Sequence, residues 1–309
     1  MSNINKSEAR ALYKARVINH RNGVAKIVRE QNAHRFSVKS VPLFTEDGVP
    51  ANAWGNVRED SNVVIGVTSE RYGILQNNEL EDVILNGLKG RNLQPTETEG
   101  IVASHGSRVH VRYDFRDEAF EVPTSKRGDI ICLRLITHNS FNGSSPASVS
   151  VGAVRLVCTN GMTSFSEELT LTSKHNSSIR PEFALGVLDS AILQWDALKR
   201  QTTTLASKRI TDTQGFNAIE NIVGRGLIGE HVGKRVLERW KSPSFEHDSE
   251  RTMWNLYNAF TEVFTHDASI HKYESNERKS GRILSALYTA SEHEDSGIRL
   301  LDSIDQAYN

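Results

Sequence analysis

The chain predicts an α+β fold: a central antiparallel β-sheet built from long hairpins, packed with helices and followed by a helical C-terminal part. Three observations carry this. Asp129–Met162 reads as two long strands joined by a polar, glycine-containing tip. Arg108–Phe115 alternates cleanly, with Val109, Val111, Tyr113 and Phe115 on one face and Arg108, His110, Arg112 and Asp114 on the other. Beyond Met162 the period becomes helical, as in the three, four, three spacing of Leu185, Leu188, Ile192 and Trp195.

In chain order, Val17-Ile18 and Val24–Val28 flank Asn22-Gly23, a tight-turn dipeptide, and predict a hairpin. Pro42, Asp47-Gly48 and Pro50 mark residues 42–62 as a connecting loop. Val63–Thr68 is a short buried strand. Asn78 with Glu81 forms a capping box for a helix whose apolar face is Leu80, Val83, Ile84 and Leu88, ending near Gly90. Gly100–Ser104 and Arg108–Phe115 bracket His105-Gly106 as another hairpin, and Lys126-Arg127-Gly128 turns into Ile130–His138. Pro181 suits a first helical turn. Further helices are expected around 214–223, 230–241, 249–265, 279–293 and 296–308. The expected organisation is a basic hairpin and linker over 1–62, an α+β core over 63–210, to which the basic residues below assign nucleic-acid binding, and a helical region over 211–309.

With 309 residues, 38% hydrophobic and 24% charged, the chain is globular and long enough for one large or two ordinary domains. No apolar run approaches the roughly 20 residues that span a bilayer. The start lacks a signal-peptide pattern, so a cytoplasmic place is expected. Cys132 and Cys158 then read as buried free thiols rather than a disulfide. The net charge of −1 argues against a protein that coats nucleic acid everywhere. Yet residues 1–40 hold nine Lys/Arg against two Asp/Glu, and 230–309 hold ten against fourteen. Such segregation fits either a local anionic partner or two faces that attract each other between copies.

Several motifs reduce to structure. Gly224, Gly226 and Gly229 match G-x-G-x-x-G, but a helical segment precedes them, so a helix–loop–helix turn is expected. Asn142-Gly143-Ser144 and Asn176-Ser177-Ser178 read as turns. His266 and His271 miss the helical metal spacing. Asp114, Asp117, Glu118, Glu121 and Asp129 fit a divalent-ion cluster or a solvated turn.

The basic residues carry more. Arg134 and His138 share a strand face with Ile130, Cys132 and Ile136, while Arg155 lies with Val149, Val151 and Ala153. Charges in such company need partners. Either Asp129, Glu167 or Glu168 pairs with them internally, or they form a strip of guanidinium groups along a phosphate-binding groove. Lys174, His175 and Arg180 lie in the loop before a helix, a ready anion site. Lys199, Arg200, Lys208 and Arg209 continue the positive charge or form an exposed helical face. Phe141, at a polar tip, and also Tyr72 and Tyr113, are candidates to stack on bases.

The segments Val67–Asn77, Asn139–Ser144, Arg155–Met162 and Lys174–Asn176 together resemble a phage- and plasmid-borne family catalogued as domain of unknown function 932. The Arg-Leu-Val-Cys-Thr-Asn-Gly-Met run is the most specific piece. The resemblance spans about residues 60–200. Family members usually carry Asp before the turn glycine. Asn142 stands there in this chain, which speaks against catalysis if that acid is catalytic. The phage and plasmid setting implies DNA metabolism or a contest with the host. The segment order is also similar to RecT- and Erf-type phage single-strand annealing proteins, whose sheet and helix form a basic groove and whose subunits join into rings or filaments.

The resulting expectation is a non-catalytic, homo-oligomeric protein that binds and anneals single-stranded DNA, with no cofactor and no metal. Arg108, Arg112, Lys126, Arg127, Arg134, His138 and Arg155 would line the groove. Lys174, His175 and Arg180 would hold phosphates, and Phe141 would stack on bases. A host or phage recombination protein is a further expected partner, and a membrane is not. The alternatives are an inhibitor of a host defence protein and a metal-dependent nuclease using the carboxylates near Asp114–Asp129.

Overall fold

The computed structural model describes residues 28–30, 32–156, 161–162, 170–266 and 273–292. The hairpin expected around Asn22-Gly23, Cys158 and the helix expected over 296–308 lie outside them. The chain is α+β, with two antiparallel sheets and a helical C-terminal part. One sheet runs β1 (Val28–Glu30), β5 (Glu97–Ala103), β6 (Arg108–Glu121), β7 (Ile130–Ser140), β8 (Ala147–Arg155) and β10 (Thr170–Ser173), with β9 (Gly161–Met162) paired to β8. The other is β2 (Val38–Phe44), β3 (Pro50–Arg58) and β4 (Val63–Thr68). The helices are α1 (Asn77–Lys89), α2 (Leu185–Ser207), α3 (Asp212–Gly224), α4 (Glu230–Lys241), α5 (Met253–His266) and α6 (Tyr273–Glu292).

The residues form two compact units. The first comprises the described residues within 1–113, 136–149 and 171–189, and the second those within 114–135, 150–170 and 190–309. In the first, the segment expected to be a connecting loop is instead a strand pair. Asp47-Gly48 is its turn, with Gly48 at φ 81° and the Thr45 amide donating to the Val49 carbonyl at 2.8 Å. The prolines do not break it, because Pro42 lies on the edge strand β2 and Pro50 is the first residue of β3. The β5–β6 connection turns through left-handed backbone at Ser104, His105 and Gly106 (φ 50°, 62° and 111°).

Helix α1 buries Leu80, Ile84 and Leu88. Its start corrects the expected capping box. Gln76 is the N-cap, with no side-chain cap bond, and its amide instead pairs with both backbone groups of Val38. Glu81 turns inward, 3.1 Å from His34 Nε2 and 2.8 Å from Arg35 Nε. Burial pushes its carboxyl up, but the bonds from His34 and Arg35 hold it below the usual range. Gly87 lets α1 approach closely, since a Cβ there would meet Leu188 at 2.6 Å and Leu185 at 2.9 Å.

The second unit is mainly helical. Thr211 and Gln214 form a reciprocal capping box at the start of α3. Gly215 lies directly under Trp240, and a Cβ there would meet the indole at 2.6 Å. Trp254, Tyr257 and Phe260 of α5 are buried, as are Ile283, Leu284 and Leu287 of α6. Tyr257 and Ser280 share a hydrogen bond of 2.7 Å between these helices. Gly224, Gly226 and Gly229 form the α3–α4 connection with open space around each, as a helix–loop–helix turn requires. Ile192 departs from the expected buried stripe. It is 48% exposed and the adjacent Leu193 71% exposed. No helix among the described residues is long and apolar enough to cross a membrane.

Candidate functional site

Three separate segments of the first unit, Thr68–Gln76, Ser140–Ser145 and Lys174–Arg180, are tied to one another by named contacts. The Tyr72 hydroxyl donates to the Ser140 carbonyl at 2.7 Å. Burial raises its pKa, so it stays a donor. The Tyr72 ring stacks on His175, with centroids 4.8 Å apart and planes 14° apart. His175 Nδ1 donates to the Gly73 carbonyl at 3.1 Å. Gly73 is there because nothing larger fits: an added Cβ would overlap the Asn176 carbonyl oxygen. Gly66 stands the same way against the Phe141 carbonyl oxygen. That oxygen also accepts from the buried amide of Asn56 at 2.7 Å.

Each segment is also braced internally. Asn142 Oδ1 accepts the Ser144 amide at 3.0 Å, and Asn176 Oδ1 accepts the Ser178 amide at 2.9 Å. These side-chain turns use both asparagines of the two N-x-S triplets. Ser140 Oγ donates to the Ser145 carbonyl at 2.7 Å. From β6, Arg108 Nε donates to Ser144 Oγ at 2.9 Å. Loops held this firmly can present side chains in fixed positions.

What they present is cationic. Lys174, Arg180 and Arg71 are exposed, and none is in an ion pair among the described residues. Arg180 Nη1 donates to its own loop, to the Ile179 carbonyl at 2.8 Å. Sequence reasoning chose Lys174, His175 and Arg180 but passed over Arg71. Its segment has no period, so only tertiary contacts bring it into the group. His175 is not one of the cations: burial lowers its pKa, with the Gly73 bond opposing, so it is neutral near pH 7.

The other residues expected to line a groove are placed differently. Arg134, 6% exposed, is closed on Asp114 by two bonds of 2.5 and 2.6 Å. Arg155, fully buried, makes a two-pronged bond to Asp129 (2.5 and 2.7 Å) and a third to Asp248 at 2.7 Å. Trp254 Nε1 adds a bond to Asp129 at 2.8 Å. Burial raises the Asp248 carboxyl, and Arg155 offsets this only in part. The internal partner Asp129 was among those foreseen. Asp114 and Asp248 were not: Asp114 meets Arg134 only through the pairing of β6 with β7, and Asp248 meets Arg155 only through the packing of the helical part on β8. The guanidinium strip is thus corrected at Arg134 and Arg155: buried cations are stable only with carboxylates around them.

Phe141 is corrected too. It is fully buried and packs against Phe36 with centroids 5.9 Å apart, so it has no face for a base. His138 is buried and its Nδ1 bonds His110 Nδ1. The outer face of Arg108–Phe115 is therefore not solvated throughout, since His110 and Asp114 are both buried. Arg112 lies 3.4 Å from Glu99, Lys126 pairs with Glu246, and Arg127 is exposed. Tyr113 is buried. Of the acids proposed to hold a metal, Asp114 and Asp129 are committed to arginines, and Glu121 accepts the Gly128 amide at 2.8 Å. Among the described residues no group of three or more His, Cys, Asp or Glu is placed to hold a metal ion.

Two antiparallel sheets, a helical C-terminal part and a cross-braced cationic loop cluster define an α+β protein with a polar surface site and no assembled metal centre among the described residues. The chain belongs to the family described as domain of unknown function DUF932, whose model matches residues 64–304. All three segments of the cluster fall inside that match. No curated protein and no solved structure matches the chain significantly.

Proposed function

We propose that the protein binds single-stranded DNA without cleaving it, through Arg71, Lys174 and Arg180 of the loop cluster and Arg108 of the adjoining strand β6. One observation carries the reading: Arg71, Lys174 and Arg180 stand exposed, with no carboxylate partner among the described residues, on loops fixed by hydrogen bonds. Phosphate oxygens are the natural partners for such groups. Annealing belongs to the same proposal, since contacts to the backbone would leave base edges free to pair. Assembly of copies into rings or filaments, by attraction between the basic N-terminal and acidic C-terminal regions, is part of the proposal. So is the likeness to RecT- and Erf-type annealing proteins.

The test is fluorescence anisotropy with labelled oligo-dT. Affinity falls with salt at a log–log slope of about −0.7 per phosphate contacted. Lys174→Glu with Arg180→Glu removes binding while leaving the thermal transition in place. No binding at about 50 mM salt would end this reading.

A second reading rests on a different observation. Ile192 and Leu193 stand exposed on α2, an apolar pair that a protein partner would cover. They suit the alternative of an inhibitor that grips a host protein. That reading expects a one-to-one complex, lost on Leu193→Lys and indifferent to DNA.

A further inference from the structure

The loop cluster contains one arrangement that phosphate binding does not use. His175 Nδ1 donates to the Gly73 carbonyl, so the neutral ring keeps its lone pair on Nε2. Nε2 is buried and has no hydrogen-bond partner among the described residues. A proton added there would create a cation whose N–H nothing accepts. On its other side the ring lies flat on Tyr72, whose hydroxyl holds the Ser140 carbonyl. The two rings therefore bridge all three segments.

We propose that the Tyr72–His175 stack is a latch that positions Lys174 and Arg180 while His175 is neutral and frees their loop when His175 is protonated. The ligand in this inference rests on the phosphate-binding reading; the latch itself does not. The charged groups on the segments packed about His175 are Glu70 and Arg71 beside Tyr72, and Lys174 and Arg180 on its own segment. The Ser140–Ser145 tip carries none. Burial is what opposes an imidazolium there, and the Gly73 bond offsets it only in part.

The sign of the effect separates this latch from an ordinary phosphate-binding histidine. A histidine that contacts phosphate gains charge below about pH 6.5 and tightens binding. The latch does the reverse. With the pKa lowered in the closed state, closure is complete above about pH 6.5 and is lost as pH falls toward the lowered value.

Hydrogen exchange of the full chain without DNA, and oligo-dT anisotropy at constant ionic strength, test this between about pH 7.5 and 5.5. The latch predicts that protection of 69–76 and 174–180 falls together in acid, and that affinity falls with it. His175→Phe keeps a ring that can stack but nothing that titrates, so the acid loosening disappears whatever its affinity at neutral pH. Tyr72→Phe, which removes only the Ser140 bond, lowers protection of 139–145 already at neutral pH. Protection of 69–76 and 174–180 that falls in acid no more than that of the β6–β8 core, or a larger fall that persists in His175→Phe, overturns the latch. Tighter binding in acid overturns it as well. Loosening in the wild type but not in His175→Phe, with no oligo-dT binding at any pH, upholds the latch and ends the nucleic-acid reading instead.

Discussion

At the scale of single residues, the buried charges decide most. Arg155 answers two aspartates in a site closed to water, and removing it leaves both without their cation. Arg155→Ala should therefore cost about 3–5 kcal/mol, measurable by urea unfolding. An exposed cation such as Lys174 should change stability by no more than about 0.5 kcal/mol. His110 gives a pH dependence. Burial, then His138, Arg112 and Arg108, hold its pKa well below the ordinary value. The unfolded chain thus takes up the proton first. Stability from this group is complete above about pH 6.5 and declines as pH falls toward the lowered value. Unfolding free energies that stay level between about pH 7.5 and 5.5 would contradict this. The sequence showed that Arg134 and Arg155 sit among apolar neighbours and so need partners. It could not show which ones, because Asp114 and Asp248 reach them only across the fold.

At the scale of elements, the close approaches around Phe141 are the sensitive points. Phe141→Ala removes a fully buried ring and should cost about 3–5 kcal/mol. Gly66→Ala forces a methyl into the Phe141 carbonyl and should cost about 1–3 kcal/mol or more. Both are read from thermal or urea transitions. Leu193→Lys should lie within about 0.5 kcal/mol of wild type, since that side chain already stands in water. Helices α3, α4 and α5 and strands β4 and β6–β8 were legible from period, turns and caps. The β2–β3 pair was not, because Pro42 and Pro50 signal a loop unless the strand's edge position is known. Ile192 has a perfect helical spacing and still faces outward: periodicity marks an apolar side without saying that anything covers it.

At the scale of the whole molecule, the proposed activity predicts salt-sensitive oligo-dT binding that depends on Lys174 and Arg180. Light scattering should show assembly beyond the monomer, weakening as salt rises. The sequence by itself determined the α+β class, most of the strands and helices, and the segments that carry the family likeness. Those properties follow from local preference and spacing, which a linear chain records. Only the tertiary structure decided which cations are neutralised inside, that Phe141 is core, and that three distant loops form one braced cluster. Desolvation and pairing depend on groups brought together by folding, and no spacing along the chain encodes them.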